Sequence, residues 1–283
     1  MIQSYNERTG KVVHSRINDV VNTGKKLGYR VKTSSGKSVV VSSIHPFLTE
    51  DGWKKIIDLK VGDKVALPKK YVPITDVVIP DDDAYFIGLS IAEGGLTQRQ
   101  YKVSTAEPEV VEFLESYAKS KGMKFRKISE YTYGISRRDT GVKHHPIMEL
   151  LDRYELMGKK SLDKALHPEM FRWCSDAKLN LIRGLFDGDS TVCKSSGSLM
   201  YTSGSKELID GIYQILLEFG VFSSLGSVHV KGSEYYTLSI YPKYLEVLLS
   251  AMGKGWCIIN RKMSSLPTLK LSSIETHSRS QTH

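Results

Sequence analysis

Cysteine is scarce in this sequence: Cys174, Cys193 and Cys257 are the whole supply in 283 residues, scattered and odd in number. No two of them share the short spacing of a zinc knuckle or a redox pair, which excludes a disulfide scaffold, and all three are expected to be reduced. A run of about 18 apolar residues is also missing, so no spanning helix is expected. Met1 to Thr9 is polar rather than a basic stretch leading into an apolar core, so no secretory leader is expected either, and a soluble cytoplasmic protein is. With 40% hydrophobic and 25% charged residues, the composition is that of a folded globular chain, which excludes disorder throughout. Acid is in short supply as well. Forty Lys and Arg against 31 Asp and Glu leave +9, a field that favours DNA, RNA or an anionic membrane surface without choosing among them.

Up to about residue 70 the chain reads as short β-segments. Lys11 to Val20, Tyr29 to Thr33 and Lys37 to Ser43 are rich in Val, Ile and Tyr, and Thr23-Gly24, Ser35-Gly36 and Asp51-Gly52 supply turn chemistry between them. Pro68, Pro73 and Pro80 then bracket a linker ending in Asp81-Asp82-Asp83, acids suited to the first turn of a helix. This places a β-rich unit over residues 1–75. Beyond it the pattern changes to longer helices interleaved with β-like stretches. Glu107 to Gly122 and Lys206 to Gly220 both carry apolar residues at helical spacing.

The chain then repeats itself. One unit runs from a helix ending at Glu93 through a β-stretch at 99–104, a helix at 107–122, β-stretches at 124–136 and a helix at 146–157 to Gly158-Lys159 and Lys164. The other runs from a helix ending at Asp189 through 198–202, 206–220, 226–240 and 242–252 to Gly253-Lys254 and Lys262. Glu93 and Lys164 are 71 positions apart, Asp189 and Lys262 73, and the order of elements is the same. A duplicated αββαββα unit with two-fold pseudosymmetry inside one chain is the physical reading, an α+β architecture. Its halves span about 81–168 and 178–268 within a domain of 76–270, followed by a mobile tail at 271–283.

Each half opens on a helix with small residues four apart, Gly88 with Ala92 and Gly184 with Gly188. Two such helices can meet backbone to backbone, which would bring Glu93 and Asp189 together. The segments Gly88-Leu89-Ser90-Ile91-Ala92-Glu93-Gly94 and Gly184-Leu185-Phe186-Asp187-Gly188-Asp189-Ser190 resemble the paired LAGLIDADG motifs of homing endonucleases, the intein-associated type, and the likeness extends over about residues 81–268. The departures are Ser90 in place of the usual acidic residue and Ser190 in place of the closing glycine. The resemblance implies a monomer whose two halves set four-stranded sheets as a saddle over double-stranded DNA. Glu93 and Asp189 would be its catalytic acids, each serving one strand. Mg²⁺ or Mn²⁺ would sit between them and the scissile phosphates, with Ala92 and Gly188 beside them in the ligand set, and the product would be a staggered break.

Carboxylates suit those two positions. In-line hydrolysis of a phosphodiester needs a polarised phosphoryl group, an activated water and a stabilised leaving oxygen, all of which carboxylate-held divalent ions supply. Oxygen ligands favour Mg²⁺ or Mn²⁺. An acid at a helix C-terminus meets the negative end of the macrodipole, and two such ends side by side repel, so a bound cation relieves both costs. Lys164 resembles the lysine of the family's block between the motifs, and Lys262 is its repeat partner. Each could stabilise developing phosphate charge, against the plainer reading of a solvated lysine. For the DNA surface, alternation of basic, polar and aromatic side chains singles out Arg99, Lys102, Arg126 and Arg137 in the first half and Lys194 and Lys231 in the second, each of which could instead be an ordinary exposed residue.

The N-terminal unit carries a second resemblance. Gly36 to Thr49 with His45-Pro46, then Gly52-Trp53 and Leu59 to Pro68, resemble the second conserved block of an intein (Hint) splicing domain, with Ser42 where that family has threonine. Splicing there needs Cys or Ser at the first position and a His-Asn end, whereas this chain starts Met1-Ile2-Gln3 and finishes Gln281-Thr282-His283. A remnant is therefore expected, with His45 structural and the unit's lysines free to pack or to extend DNA contact. A binding-only relative (a maturase or a transcription factor) and a fragment of a split self-splicing intein stay open beside the endonuclease. Glu93 and Asp189 favour cleavage, because a protein that only binds needs no paired acids.

Overall fold

The computed structural model of the protein describes residues 2–67, 71–96, 101–138 and 145–253, together with Cys257, Ile259 and Lys262. Arg99 and the tail at 271–283 lie outside the described residues.

The N-terminal segment forms three antiparallel ribbons: β1 (Ile2–Asn6) with β2 (Lys11–Ser15), β3 (Gly28–Lys32) with β4 (Ser38–Ser42), and β5 (Pro46–Thr49) with β6 (Gly52–Lys55). The strands fall where the Val- and Tyr-rich runs put them, but they do not join into one sheet, and none of residues 2–67 is buried. Two-stranded ribbons cannot cover both of their faces, and isolated ones are marginal. Val39, Val40, Ile44 and Trp53 accordingly stay exposed. His45 sits exposed before β5, its ring edge-on to Phe47 at 5.3 Å. The unit leans on the rest of the chain through the β3–β4 turn.

The remaining elements follow the duplicated order. The first half comprises α1 (Asp81–Glu93), β7 (Tyr101–Ser104), α2 (Pro108–Ser120), β8 (Lys124–Lys127), β9 (Thr132–Ser136) and α3 (Pro146–Arg153). The second comprises α4 (Ser175–Asp189), β10 (Ser190–Val192), β11 (Leu199–Ser203), α5 (Lys206–Glu218), β12 (Ser223–Val230), β13 (Ser233–Ile240) and α6 (Pro242–Met252). The second sheet has the order β10-β11-β13-β12, all antiparallel. Among the described residues the first has three strands, β7-β9-β8, and the counterpart of β10 shrinks to a single bridge, Gly94 with Val103. Four strands were expected in each half.

Local chemistry explains the ends. Pro80 precedes α1, and three aspartates in its first turn face the positive end of the macrodipole. Asp83 also accepts from the Tyr117 hydroxyl at 2.7 Å and pairs with Lys121 at 2.5 Å, fixing α2 to α1. The helix expected over 146–157 stops at Arg153, because Glu155 takes a left-handed conformation (φ 52°) that α-helix cannot continue. At the β12–β13 hairpin Lys231 and Gly232 both have positive φ (49° and 82°), the two-residue turn whose twist matches that of the strands.

The core runs through the middle of both halves. Residues 83–92 of α1 are all buried, so this helix has no polar face, and α4 is nearly as enclosed. The sheets present Tyr101, Val103, Ile135, Leu199, Tyr201, Leu238 and Ile240 inward against it. A buried ion pair, Lys178 to Glu218 at 2.6 Å, ties α4 to α5.

Candidate active site at the helix seam

Glycine decides how close α1 and α4 come. A β-carbon on Gly88 would lie 2.2 Å from the Leu181 carbonyl oxygen, and one on Gly184 would lie 2.1 Å from that of Tyr85. One on Gly188 would fall 2.2 Å from the Ala92 β-carbon and 3.1 Å from Glu93 Cγ. The helices therefore touch along their backbones from the first glycine pair to the acids, and both C-termini end at the same place.

This register corrects one alignment. Gly88 faces the same turn of α4 that Gly184 faces on α1, so Gly88 and Gly184 are equivalent, and the equivalent of Asp187 is Ile91 rather than Ser90. The acid missing from the first copy is thus replaced by isoleucine. Ser90 is a buried hydroxyl that donates to the Phe86 carbonyl at 2.7 Å and bonds with the Tyr101 hydroxyl at 2.9 Å. Ser190 needs no glycine, because its backbone is extended (φ −99°).

Glu93 is half-buried, and Asp189 is exposed at the mouth of the seam. Burial pushes the Asp189 carboxyl up to about 6, the nearby Glu93 charge adds to this, and Lys164 and Lys262 pull it back. Glu93 shifts upward for the same first reason, opposed by the same lysines.

Both lysines reach the seam. Lys164 Nζ donates to the Ala92 carbonyl at 3.1 Å, while its own carbonyl accepts from the Ser205 hydroxyl of the other half at 2.5 Å. Lys262, almost fully buried, donates to the carbonyls of Phe186 (2.9 Å), Asp187 (2.6 Å) and Gly188 (3.3 Å). Each amine thus caps the negative end of one motif helix, where its charge is favoured. The solvated reading fails for both.

That placement narrows the metal set. The Ala92 and Gly188 carbonyls, grouped with the metal ligands in the sequence, already accept a lysine ammonium, so each offers at most one remaining lone pair. Among the described residues no group of three or more His, Cys, Asp or Glu could enclose a metal by itself. Two carboxylates with space beside them suit Mg²⁺ or Mn²⁺, which keep waters and complete their shells with phosphate oxygens. A cleft of about 270 Å³ opens beside Glu93, lined among others by Glu107, Tyr131, Asp187, Gly188 and Lys262.

Asp187 was not singled out in the sequence. Its carboxylate is buried and accepts from the Tyr85 hydroxyl at 2.8 Å, a bond across the seam. The pseudosymmetric pair, Ile91 and Leu181, cannot form it. The first of the motif's two acids was the available signal.

The DNA-surface candidates separate by place. Lys102 and Arg126 both pair with Gly134, from opposite sides of β9, so they form one row on the solvent face of the first sheet. Arg137 follows β9 and is exposed. Lys194 is exposed in the β10–β11 connection, and Lys231 is exposed at the hairpin tip. These two are not on the second sheet's face.

Residues 176–253 match the family model of the LAGLIDADG-like domain, so the second half of the chain carries a domain of that class. The chain is 28% identical over 256 residues to the replicative DNA helicase DnaB of Synechocystis sp. (84% of this chain, 29% of that protein). It is 26% identical over 254 residues to the DNA-directed RNA polymerase subunit Rpo1C of Methanocaldococcus jannaschii (76% and 29%). It therefore spans less than a third of these relatives. Among solved structures, I-DmoI in complex with DNA and Mn superposes with a TM-score of 0.43 at 15% identity, covering 62% of this chain and 98% of that one. WhiA of Thermatoga maritima gives 0.42 at 13%, covering 66% and 60%. No helix among the described residues is long and apolar enough to cross a membrane.

Two expectations follow from the site. Replacing Lys262 by Met should destabilise the fold by about 2–3 kcal/mol, because three helix-end carbonyls lose a charged donor, and Lys164→Met should cost about 1 kcal/mol, with one such bond. Urea unfolding measures both. Each loss removes a charge that holds the acids down, so any cleavage profile should shift to higher pH.

The second concerns Asp189, whose ordinary value is 3.8 and which is pushed up to about 6 in the fold. A raised carboxyl stabilises the folded chain while protonated, fully below its unfolded value, and that contribution is lost as pH rises through about 6. Without metal, the stability difference between Asp189→Asn and the parent should therefore grow in favour of the variant between pH 4 and pH 7. Divalent cation should reverse this above pH 6. A gap independent of pH would contradict the assignment.

Proposed function

We propose that the chain is a site-specific, metal-dependent endodeoxyribonuclease that hydrolyses both strands of a duplex to a staggered break, acting as a monomer with internal pseudosymmetry. One observation carries the reading: two acids with raised pKa values meet at a seam tight enough to require glycine, each beside a lysine-capped helix end, next to two sheets. Glu93 and Asp189 would hold Mg²⁺ or Mn²⁺, which when bound supplies polarisation of the phosphoryl oxygen and stabilisation of the leaving oxygen. Lys164 and Lys262 would hold the two helix ends in place and favour the ionised form of both acids. With only two protein carboxylates, cation affinity should be weak alone and rise with DNA, whose phosphate completes the shell.

An inserted, intein-type element is the context we favour. The relatives include a helicase, an RNA polymerase subunit and a replication factor subunit, and the chain matches 29%, 29% and 11% of them, as a segment carried by unlike hosts would. Incubating the protein with a randomised duplex library and Mg²⁺, then sequencing cut ends, tests the activity. Recovery of one long site with offset cuts on the two strands is expected. Binding without any break under Mg²⁺ or Mn²⁺ would leave a binding protein instead.

A further inference from the structure

Charge is unevenly divided along the chain. Residues 2–67 hold 12 Lys and Arg against six Asp and Glu, so this unit carries +6 of the total +9. Residues 175–253 hold six against eight, a net −2. The matched span is therefore slightly acidic, while the whole half, 178–268, holds nine against seven, a net +2, and the first half, 81–168, holds 14 against 14.

The difference between the halves lies in where the charge sits, and the sheet faces show it. Side chains alternate across a strand, and Tyr201, Leu238 and Leu225 point to the core side of the second sheet. Its other face is made by Thr191, Met200 and Thr202, by Ser224, Gly226, Val228 and Val230, and by Ser233, Tyr235, Thr237 and Ser239. None carries a charge, whereas the corresponding face of the first sheet has Lys102, Lys124 and Arg126. Among the described residues, a duplex lying across both sheets would meet cations of the face itself on one side only, with Lys194 and Lys231 on the connections of the other. Phosphate neutralisation supplies most of the sequence-independent affinity for DNA, so the second half is short of it.

The N-terminal unit is mounted on the edge of that second sheet. Leu225 N, on the free edge of β12, donates to the Ser35 carbonyl at 2.7 Å, and Gly36 packs so closely that a β-carbon would meet the Leu225 carbonyl oxygen at 1.9 Å. Lys37 anchors the same turn, its amine 4.2 Å from the Tyr213 ring centroid and 3.7 Å from Asp210. Strand β3 leads into this turn. Arg30 and Lys32 lie two apart on it, on one face, and Lys25 and Lys26 come just before. All four are exposed, and among the described residues none of them enters an ion pair, unlike Lys54 with Asp51 or Lys64 with Glu50.

We infer that the N-terminal unit is a double-stranded-DNA clamp for the second half, using Lys25, Lys26, Arg30 and Lys32 to neutralise phosphates flanking the duplex that the uncharged sheet faces. The inference rests on the proposed duplex-binding function and adds the surface on which that half depends. It accounts for a unit with no core of its own that is nonetheless fixed to a sheet edge: the turn at Ser35 and Gly36 is its mount, and the strand behind it is its working part. The division of labour is then electrostatic. The first half binds through its own sheet, and the second through an appended one.

The test compares the full chain with the variant Lys25→Gln, Lys26→Gln, Arg30→Gln, Lys32→Gln. Affinity for a random-sequence 40-base-pair duplex is measured across a salt series, and a nuclease footprint is taken on the selected cleavage site. Each lost phosphate contact should lower the slope of log K against log salt by about 0.9, so a drop of about 3–4 is expected. The footprint should shorten at one end only. A control, Lys54→Gln with Lys64→Gln, should leave the slope unchanged, since those amines already have acid partners. A parent-like slope and footprint in the fourfold variant overturns the clamp and leaves the endonuclease reading standing, whereas a parent chain that binds no duplex overturns both. If the variant loses slope evenly and the footprint shrinks at both ends, the charge acts at long range and the clamp is again overturned.

Discussion

Glu93→Gln and Asp189→Asn should each abolish double-strand cleavage while leaving a folded protein that is, without metal, more stable than the parent. Both halves of that expectation come from the same geometry. Each acid lies at a helix C-terminus, close to the other acid and partly out of water, and each is pushed upward chiefly by burial. The folded chain bears a cost to keep them ionised, and an amide of the same shape removes it. On the proposed function cation binding would offset that cost in the parent, so the variants should lose both Mg²⁺-dependent stabilisation and turnover. The rate should fall by at least about 10²–10³-fold, the range for loss of one preorganised electrostatic group. If each acid serves one strand, a single variant should leave residual nicking of the other strand, detectable as conversion of supercoiled to open-circular plasmid. Equal cutting by parent and both variants would sink the assignment of the acids. A loss of cleavage accompanied by a lower unfolding midpoint would show instead that the carboxylates hold the fold together.

Much of this was legible in the sequence, for a physical reason. Periodicity reports burial, and duplication reports itself, so the order of helices and strands over 81–252 could be read from apolar spacing and from the matched positions of Glu93, Lys164, Asp189 and Lys262. The small residues four apart announced a close seam because nothing but glycine or alanine fits one. What spacing does not carry is the third dimension of a side chain. The sequence did not reveal that Lys262 would give three hydrogen bonds to helix-end carbonyls, or that Tyr85 would reach across to Asp187. Nor did it separate Lys194 and Lys231, which sit on turns, from Lys102 and Arg126, which share a row. The N-terminal strands were found, but their failure to make a common core was not. Alternation predicts a strand, and only partner strands decide whether its apolar face is covered.

Gly184→Ala and Gly88→Ala should each cost about 3–5 kcal/mol, beyond the usual range for a single added methyl group and enough to endanger a domain of ordinary stability. The added carbon would sit 2.1 or 2.2 Å from a backbone carbonyl oxygen of the facing helix, and a backbone cannot rotate out of the way as a side chain can. Relief requires α1 and α4 to move apart along their length. Intrinsic helix propensity opposes the loss, since Ala is favoured over Gly by about 1 kcal/mol in a helix interior, so the measured penalty is already net of that gain. Gly211 in α5 supplies the contrast: its added carbon would meet only the Leu166 side chain, at 3.2 Å, which can shift. Gly211→Ala should therefore change stability by less than about 1 kcal/mol, with the propensity gain and the small repacking cost nearly cancelling. Denaturant midpoints for the three variants decide the matter. A milder variant at the mouth, Gly188→Ala, links packing to chemistry, because its methyl group would press on Ala92 and on the Glu93 side chain. On the proposed function, acids pushed apart there would no longer share a cation, so cleavage should fall far more steeply than stability, and raising Mg²⁺ should recover part of it. Gly184→Ala stability close to that of Gly211→Ala would mean that the helices do not meet backbone to backbone, and the paired acids would lose the contact that brings them together.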